Sequence, residues 1–359
     1  MQSLVSALRG QSTFSGFIIG LLLISYLIYP VPVFAAWFGF FVAAYSAIAN
    51  DSIQTIGTFI ASNKQRPWWY LWVYLGLIFF MTVLYSWLTY GGDVSHERLI
   101  AKGFEQTPTR FSHLQIIAPI VLLVLTRAKM PVSTTFLLLG SFAATSKAIA
   151  KVLIKSLSGY FLAFGIALVF FCLVAKISKK YFVGQPSTSW VIAQWITSGL
   201  LWSVWLQQDL ANVAVFLPRS LSLTEFTLFS TYIVLGLGLL LYFRGGRIQV
   251  IVTEKSEVFD PRFVTLIDGV YALILYYFKI KSKIPMSTTW VFLGLLAGRE
   301  LGMYLRSTSR YALWPTLGMS SKDVAKAIFG LLVSILIATS VNSSITVSEI
   351  QGFLWKALF

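Results

Sequence analysis

The chain has 359 residues, of which 57% are apolar, 16% aromatic and only 11% charged. Soluble proteins carry about 25% charged residues, so this composition excludes a water-soluble globular protein. The formal charge of +15 lies in short connections between apolar runs, which favours contact with anionic headgroups of a lipid bilayer over a nucleic-acid partner. Attraction of an anionic solute towards a pore mouth is the alternative interpretation of these cations.

Apolar stretches long enough to cross a bilayer recur along the chain, since a spanning helix needs ~20 mostly apolar residues. The predicted helical spans are 17–29, 33–49, 69–90, 114–126, 134–154, 159–176, 190–206, 224–243, 263–279, 288–305 and 323–341, with an apolar tail at 348–359. The predicted fold class is an all-α polytopic membrane protein with about ten crossings. We expect an integral, multi-pass protein of the plasma (inner) membrane.

A polar motif occurs twice. Its first copy is Met130-Pro131-Val132-Ser133-Thr134-Thr135 and its second is Ile284-Pro285-Met286-Ser287-Thr288-Thr289. The two serines are 154 residues apart (287 − 133), and a glycine follows each serine by seven positions, at Gly140 and Gly294.

Two further landmarks repeat in the same order. Asp51 is matched by Asp209 at an offset of 158 residues (209 − 51), and Gly91-Gly92 by Gly245-Gly246 at an offset of 154 (245 − 91). The sequence therefore predicts a first transmembrane repeat at 1–177, a polar linker at 178–189 and a second repeat at 190–359.

Duplication of this kind is typical of secondary transporters, in which two halves enclose a site near the bilayer midplane. A passive anion channel and a membrane enzyme are the other classes considered. The long polar stretches 91–111 and 245–262 contain no paired carboxylates or histidine-rich arrangement, so an enzyme is not expected.

The motif Pro-x-Ser-Thr-Thr has the composition of a helix start that binds an anion. Proline is tolerated in the first turn, and the free backbone N–H groups, hydroxyls and helix dipole together favour an oxyanion. Capping of ordinary helices by Ser and Thr is the competing interpretation. The presence of two copies at corresponding positions favours an anion site over capping.

Asp51 and Asp209 follow apolar runs, where a carboxylate is costly unless it has a partner. With amides from Asn50, Gln54 or Asn212, each carboxylate offers the hard oxygen ligands that suit sodium. A proton-carrying carboxyl group and a structural salt bridge are the alternatives. The sequence favours coupling to a cation, with sodium first and a proton second.

Several charged residues lie in or at the ends of apolar helices. They are Lys147, Lys151, Lys279, Arg299 and Glu300. Snorkelling to the membrane surface is the expected explanation for most of them, and an ion pair or gate is the alternative for Arg299 with Glu300.

These motifs resemble the inorganic phosphate transporter family, PiT, which has a duplicated Gly-Ala-Asn-Asp-x-x-Asn-Ala segment and a duplicated Pro-x-Ser-Thr-Thr-His segment. Here the first segment reads Ile48-Ala49-Asn50-Asp51-Ser52-Ile53-Gln54-Thr55, and its second copy reads Leu206-Gln207-Gln208-Asp209-Leu210-Ala211-Asn212-Val213. The family histidine is replaced by Phe136 and Trp290, and two asparagines by Gln54 and Gln208.

The resemblance implies two inverted-topology repeats with re-entrant or broken helices around a midplane site. It implies cation-coupled symport of inorganic phosphate by alternating access, with sulfate or another oxyanion as the alternative substrate, and a possible homodimer. The implied substrate-binding residues are Ser133, Thr134, Thr135, Ser287, Thr288, Thr289, Asn50 and Asn212. The implied cation-binding residues are Asp51, Asp209, Gln54 and Gln208, with sodium at the two aspartates.

Overall fold

The computed structural model describes residues 2–244, 260–282, 286–306 and 313–358, and within these ranges every regular element is a helix. Six helical segments are long and apolar enough to cross a membrane: Pro32–Ser62, Trp68–Thr89, Ser146–Ser178, Leu223–Tyr242, Pro261–Phe278 and Ser321–Val341. Shorter apolar helices cover Ser12–Ile28 and His113–Arg127. The prediction of an all-helical membrane protein is confirmed at this level, with six such segments among the described residues where about ten crossings were expected.

The helices are numbered here in chain order. They are α1 (Gln2–Ile28), α2 (Pro32–Ala47), α3 (Ile53–Ser62), α4 (Trp68–Thr89), α5 (Arg98–Ala101), α6 (His113–Arg127), α7 (Thr134–Leu137), α8 (Ser146–Tyr181), α9 (Thr188–Asp209), α10 (Ala211–Ala214), α11 (Leu223–Tyr242), α12 (Pro261–Leu275), α13 (Thr288–Leu305), α14 (Leu313–Val341) and α15 (Val347–Leu358).

The first polar landmark lies on a wide turn inside a long span. A π-helical segment, Ile48–Ser52, joins α2 to α3, so that Pro32–Ser62 is one interrupted helix. A π-turn contains an extra residue relative to α-helix and is common at functional sites. Here it contains Asn50 and Asp51, both buried in the interior of the protein.

Two predicted spans, 134–154 and 159–176, have different boundaries in the structure. The chain after Ser133 forms the single turn α7 and a 3-10 turn, Leu139–Phe142, and then breaks at residues 143–145. From Ser146 one unbroken helix, α8, continues to Tyr181, because Thr145 caps its start and the small residues near 156–159 do not interrupt it. The first part of the predicted linker 178–189 is therefore helical, and α9 begins at Thr188.

A row of glycines allows α13 to pack closely along α8. A Cβ atom added at Gly294 would lie 2.2 Å from the carbonyl oxygen of Tyr160, and one at Gly298 would lie 2.2 Å from that of Phe164. Small residues at every fourth position let helix backbones approach in membranes, where dispersion contacts drive helix association. The stripe, which continues to Gly302, thus stabilises a contact within one chain and does not argue for a dimer.

The distribution of side chains is that of a protein surrounded by lipid. Large apolar side chains on α1, α4, α8 and α11 are exposed, including Leu27, Leu77, Val169 and Leu235. Polar side chains of the two repeated landmarks are buried instead. Backbone and polar groups inside a membrane must be satisfied within the protein, so these buried groups are expected to contact one another.

Candidate functional site

The carboxylate of Asp51 contacts the first Ser-Thr-Thr motif. Thr134 Oγ1 donates a hydrogen bond of 2.5 Å to Asp51 Oδ2, and both side chains are buried. The π-turn carries Asp51, while α7 begins at Thr134. An acidic residue of one sequence landmark and a hydroxyl of the other thus meet inside the protein.

The amides beside Asp51 form their own short network. Gln54 Nε2 donates to Asn50 Oδ1 at 2.7 Å, and Asn50 Nδ2 donates to Thr126 Oγ1 at 3.1 Å and to the carbonyl oxygen of Met130 at 3.5 Å. These bonds tie the π-turn to the end of α6 and to the segment that enters the motif. They orient the Asn50 side chain towards these groups. The resemblance had implied that Asn50 binds the substrate anion.

The second half contributes Asn212 to the same place. α9 ends at Asp209, the chain bends at Leu210, and α10 begins at Ala211. Asn212 Nδ2 donates to Thr134 Oγ1 at 2.8 Å, to Thr135 Oγ1 at 3.2 Å and to Asp209 Oδ1 at 3.2 Å. The second acidic landmark therefore contacts the first copy of the hydroxyl motif.

The two copies of the hydroxyl motif also touch each other. Ser287 Oγ donates to Ser133 Oγ at 2.8 Å, and the backbone N–H of Ser287 donates to Ser156 Oγ at 2.9 Å. Ser133 Oγ also accepts from the backbone N–H of Phe136 at 3.3 Å, whereas Ser287 makes no capping bond with its side chain. The capping interpretation thus describes Ser133 in part and does not describe Ser287.

The remaining predicted residues are distributed around this centre. Thr289 Oγ1 donates to the carbonyl oxygen of Val132 at 3.3 Å, and Tyr271 donates to the carbonyl oxygen of Thr288 at 3.1 Å. Gln208 is buried, and its Oε1 atom makes no hydrogen bond to the described part of the chain. Ile284, Pro285 and the pair Gly245-Gly246 lie outside the described residues.

The starts of the two motif helices differ in length. α13 continues for 18 residues after Ser287, but α7 is a four-residue turn followed by the 3-10 segment. A long helix presents a macrodipole at its start, and a single turn contributes little beyond its own N–H groups. The dipole argument from sequence therefore applies to the second copy, and the first copy contributes mainly hydroxyls.

A cavity of about 330 Å³ reaches the first motif at Thr135. Arg98 at the start of α5 and Lys102 directly after α5 line it, and Lys151 lines it from α8. Lys102 Nζ lies 3.5 Å from Asn212 Oδ1, which connects this cavity to the polar centre. Its other walls are largely apolar and include Phe136, Leu139, Ile149, Val152, Ile335 and Ala338. Three cations beside a hydroxyl motif make this cavity suitable for a small anion.

Sequence analysis did not identify Arg98 and Lys102 as site residues, and it assigned Lys151 to snorkelling. Arg98 is 7% exposed, because the loop after α4 folds back into the protein. The spacing of Arg98 and Lys102 by four positions, which places both on one helical face, was the available signal. The loop around them had been treated as a membrane-surface connection.

The loop is held by a tight turn around Asp93. Asp93 accepts hydrogen bonds from the backbone N–H groups of Ser95 at 2.9 Å and Glu97 at 2.6 Å. Burial lowers the pKa of the Arg98 guanidinium, and the nearby carboxylate of Asp209 opposes this effect. Arg98 thus balances part of the negative charge that Asp209 brings to the interior.

No protein-family model matches this sequence, and comparisons with characterised proteins and with solved structures gave no match either. Function has to be inferred from the chain's own chemistry. Within the described ranges, no group of three or more His, Cys, Asp or Glu side chains gathers that could hold a metal ion. The carboxylate of Asp51 accepts a hydrogen bond from a hydroxyl, Thr134 Oγ1, and that of Asp209 accepts one from an amide, Asn212 Nδ2.

The charged pair on α13 does not snorkel. Arg299 and Glu300 are each 6% exposed and form an ion pair, and the Arg299 guanidinium lies 6.0 Å from the centre of the Phe171 ring. The snorkelling interpretation was therefore wrong for this pair, and the ion-pair alternative is correct. Lys147 is exposed, as expected, and the side chain of Lys279 lies outside the described residues.

Proposed function

We propose that this chain is a cation-coupled secondary transporter, a symporter, of inorganic phosphate that works by alternating access. The observation that carries the proposal is the hydrogen bond of 2.8 Å between Ser287 Oγ and Ser133 Oγ, which joins two copies of one motif. Hydroxyls that bond each other can turn and donate to an oxyanion instead, since each has one donor and two acceptor sites. In this proposal the halves of the chain are inverted-topology repeats.

The anion's route is supported by the basic cavity. Arg98, Lys102 and Lys151 attract an anion from one side of the membrane, and Thr135 is where the cavity meets the motif. Phosphate then replaces the hydroxyl oxygens of Thr134 and Thr135 as acceptor of the hydrogen bonds that Asn212 Nδ2 donates. Charge-assisted bonds to an oxyanion are stronger than the neutral bonds they replace.

The coupling cation compensates the charge of the anion and of the carboxylates. Asp51 and Asp209 are buried, and Asn212 bonds both Asp209 and Thr134, the residue that bonds Asp51. A further negative charge that enters this centre requires a positive partner that travels with it. Sodium at Asp51 and Asp209 is the leading choice, and a proton is the alternative.

Equilibrium binding to the purified protein in detergent tests this assignment. Labelled phosphate is expected to bind, to be displaced by unlabelled phosphate and to bind more weakly without sodium at neutral pH. Displacement by sulfate at a lower concentration than is needed with unlabelled phosphate would make sulfate the preferred substrate. Full affinity in both Ser133→Leu and Ser287→Leu would mean that the anion site lies elsewhere.

An uncoupled channel is separated from a symporter by flux measurements in liposomes. A channel would equilibrate labelled phosphate at a rate that is insensitive to an imposed sodium or proton gradient. A symporter would accumulate phosphate above its external concentration only while such a gradient lasts.

A further inference from the structure

A third buried carboxylate lies outside the predicted site. Asp268 is in the middle of α12 and is 1% exposed. Its Oδ1 atom accepts a hydrogen bond of 2.7 Å from Thr58 on α3, and its Oδ2 atom accepts one of 2.5 Å from Ser198 on α9. Three helices, α3, α9 and α12, therefore meet at a single acidic side chain.

Among the described residues, the hydrogen-bond partners of Asp268 leave its charge without compensation. Both hydrogen bonds come from neutral hydroxyls, and a carboxylate inside a membrane protein is costly unless a cation or a proton neutralises it. Ionisable residues in such positions mark proton relays and ion pathways more often than structural contacts. The site thus calls for a positive species that the two hydroxyls do not supply.

The two hydroxyls can satisfy Asp268 in either protonation state. A carboxylate accepts a bond from each hydroxyl, which is the arrangement observed. A carboxylic acid donates its own proton to one hydroxyl, which can then turn its hydrogen to the backbone carbonyl one turn earlier in its helix. Neither state leaves a buried polar group without a partner, so a proton can come and go without local unfolding.

Asp268 connects to the proposed oxyanion site through Tyr271. Tyr271 follows Asp268 by three positions on α12, so both lie on one helical face. Its hydroxyl donates a hydrogen bond of 3.1 Å to the carbonyl oxygen of Thr288 in the second motif.

Next to Thr58 and Ser198, a row of polar contacts continues between α3 and α9 towards the end of α3. Gln194 Nε2 donates to Ser62 Oγ at 2.6 Å, and Asn63 Nδ2 donates to Gln194 Oε1 at 3.3 Å. Arg66, beyond the end of α3, donates to Asn63 Oδ1 at 3.2 Å. This row lowers the cost of bringing a hydrated proton from the membrane surface towards Asp268, since it replaces lipid with polar groups.

We infer that Asp268 is a proton-binding site of this membrane protein, loaded through the Asn63–Gln194 side and linked through Tyr271 to the hydroxyl motifs. An O–H bond forms on the Asp268 carboxylate with a proton taken from water and breaks again when the proton leaves. The groups that face it are the hydroxyls of Thr58 and Ser198, the phenol of Tyr271 on its own helix and, through that phenol, the backbone carbonyl of Thr288 on α13. The inference rests on the proposed function only in letting this proton drive oxyanion uptake, which selects the proton, the alternative coupling ion named there, over sodium.

Transport in liposomes tests the coupling role. Asp268→Asn is expected to abolish phosphate accumulation driven by an inward proton gradient and to retain phosphate exchange in the absence of any gradient. The matched control is Asp260→Asn, at the start of the same helix, where the partly exposed carboxylate pairs with Arg262. This control is expected to retain both activities. Proton-driven accumulation that survives in Asp268→Asn, or a loss of sodium dependence alone, would overturn the inference.

Infrared difference spectroscopy tests proton binding without transport. A change of pH is expected to change the carbonyl band of a protonated carboxylic acid in the wild-type protein, and this band is expected to shift in Thr58→Val, which removes one hydrogen bond. If the wild-type protein moves no oxyanion, the proposed function fails, while this band still decides whether Asp268 binds a proton. A spectrum with no such band, or one unchanged in both Thr58→Val and Asp268→Asn, would contradict the inference.

Discussion

Ser133 and Ser287 are 154 residues apart (287 − 133) in the sequence and share a hydrogen bond of 2.8 Å inside the protein. They occupy the same position in two copies of one motif, at the starts of α7 and α13. A contact between equivalent residues of the two copies makes both halves of the chain part of a single centre.

The first prediction concerns this pair. Ser133→Ala and Ser287→Ala each remove one hydroxyl, and each is expected to weaken phosphate binding by about ten-fold, because a hydrogen bond to a charged group contributes ~1.5–3 kcal/mol. The double variant is expected to lose less than the sum of the single losses, since contacting residues are coupled. Binding isotherms of the four proteins measure the coupling. Ser158→Ala, on the exposed face of α8, is the control, and strict additivity would show that the two hydroxyls act independently.

The second prediction concerns the basic cavity. Arg98→Gln is expected to raise the Kd for phosphate by about ten-fold or more, because it removes a buried cation from the anion's route. Arg110→Gln removes an equal charge from an exposed position in the same loop and is expected to leave the Kd unchanged. Phosphate titrations measure the Kd of both variants. Equal increases in Kd would show that only the total charge of the loop matters.

The third prediction concerns the glycine row. Gly298→Ala places a methyl group 2.2 Å from the carbonyl oxygen of Phe164 and is expected to destabilise the protein by ~1–3 kcal/mol or more. Gly165→Ala, in α8, adds the same methyl group where no atom lies within 4 Å and is expected to be neutral or to stabilise by up to ~1 kcal/mol. Thermal unfolding in detergent compares the two. A Tm for Gly298→Ala as high as that for Gly165→Ala would contradict the close packing of α13 on α8.

The fourth prediction concerns pH. Burial lowers the pKa of the His96 imidazole from 6.5 to about 4, although the Asp93 carboxylate acts in the opposite direction. The unfolded chain therefore binds a proton at this residue between pH 6.5 and about 4, while the folded protein does not. The contribution of His96 to the free energy of unfolding is complete above pH 6.5. It is lost as pH falls towards 4, and the loss amounts to up to about 3 kcal/mol.

The test of this prediction is the variant His96→Asn, since Asn tolerates the positive φ of 52° at this position. The variant is expected to flatten the dependence of Tm on pH between 4 and 6.5, the range set by the two pKa values. An unchanged slope would assign the acid sensitivity to other groups.

Much of the centre could be predicted from sequence because its residues repeat. Asp51 and Thr134 are 83 positions apart, yet each belongs to a landmark whose second copy follows in the same order, and the structure brings both landmarks together. Buried polar groups in an apolar chain must find one another, which is why a polar motif alone was informative.

Other features depended on tertiary packing. The inward fold of the loop that carries Arg98 depends on a turn around Asp93 and on contact between Gly92 and Leu221, whose N–H donates to the Gly92 carbonyl at 2.9 Å. Apart from the four-residue spacing of Arg98 and Lys102, nothing local distinguishes such a loop from one at the membrane surface. Asp268 was not predicted for a related reason. It belongs to neither of the repeated motifs, and its hydrogen-bond partners come from two helices that are distant in sequence.

The most direct test of the central claim is uptake of labelled phosphate into liposomes that contain the purified protein. Uptake is compared under an inward sodium gradient, an inward proton gradient and no gradient, with unlabelled sulfate as competitor. We expect accumulation that depends on a gradient and is blocked by unlabelled phosphate. Phosphate that never rises above its external concentration under either gradient would contradict coupled transport.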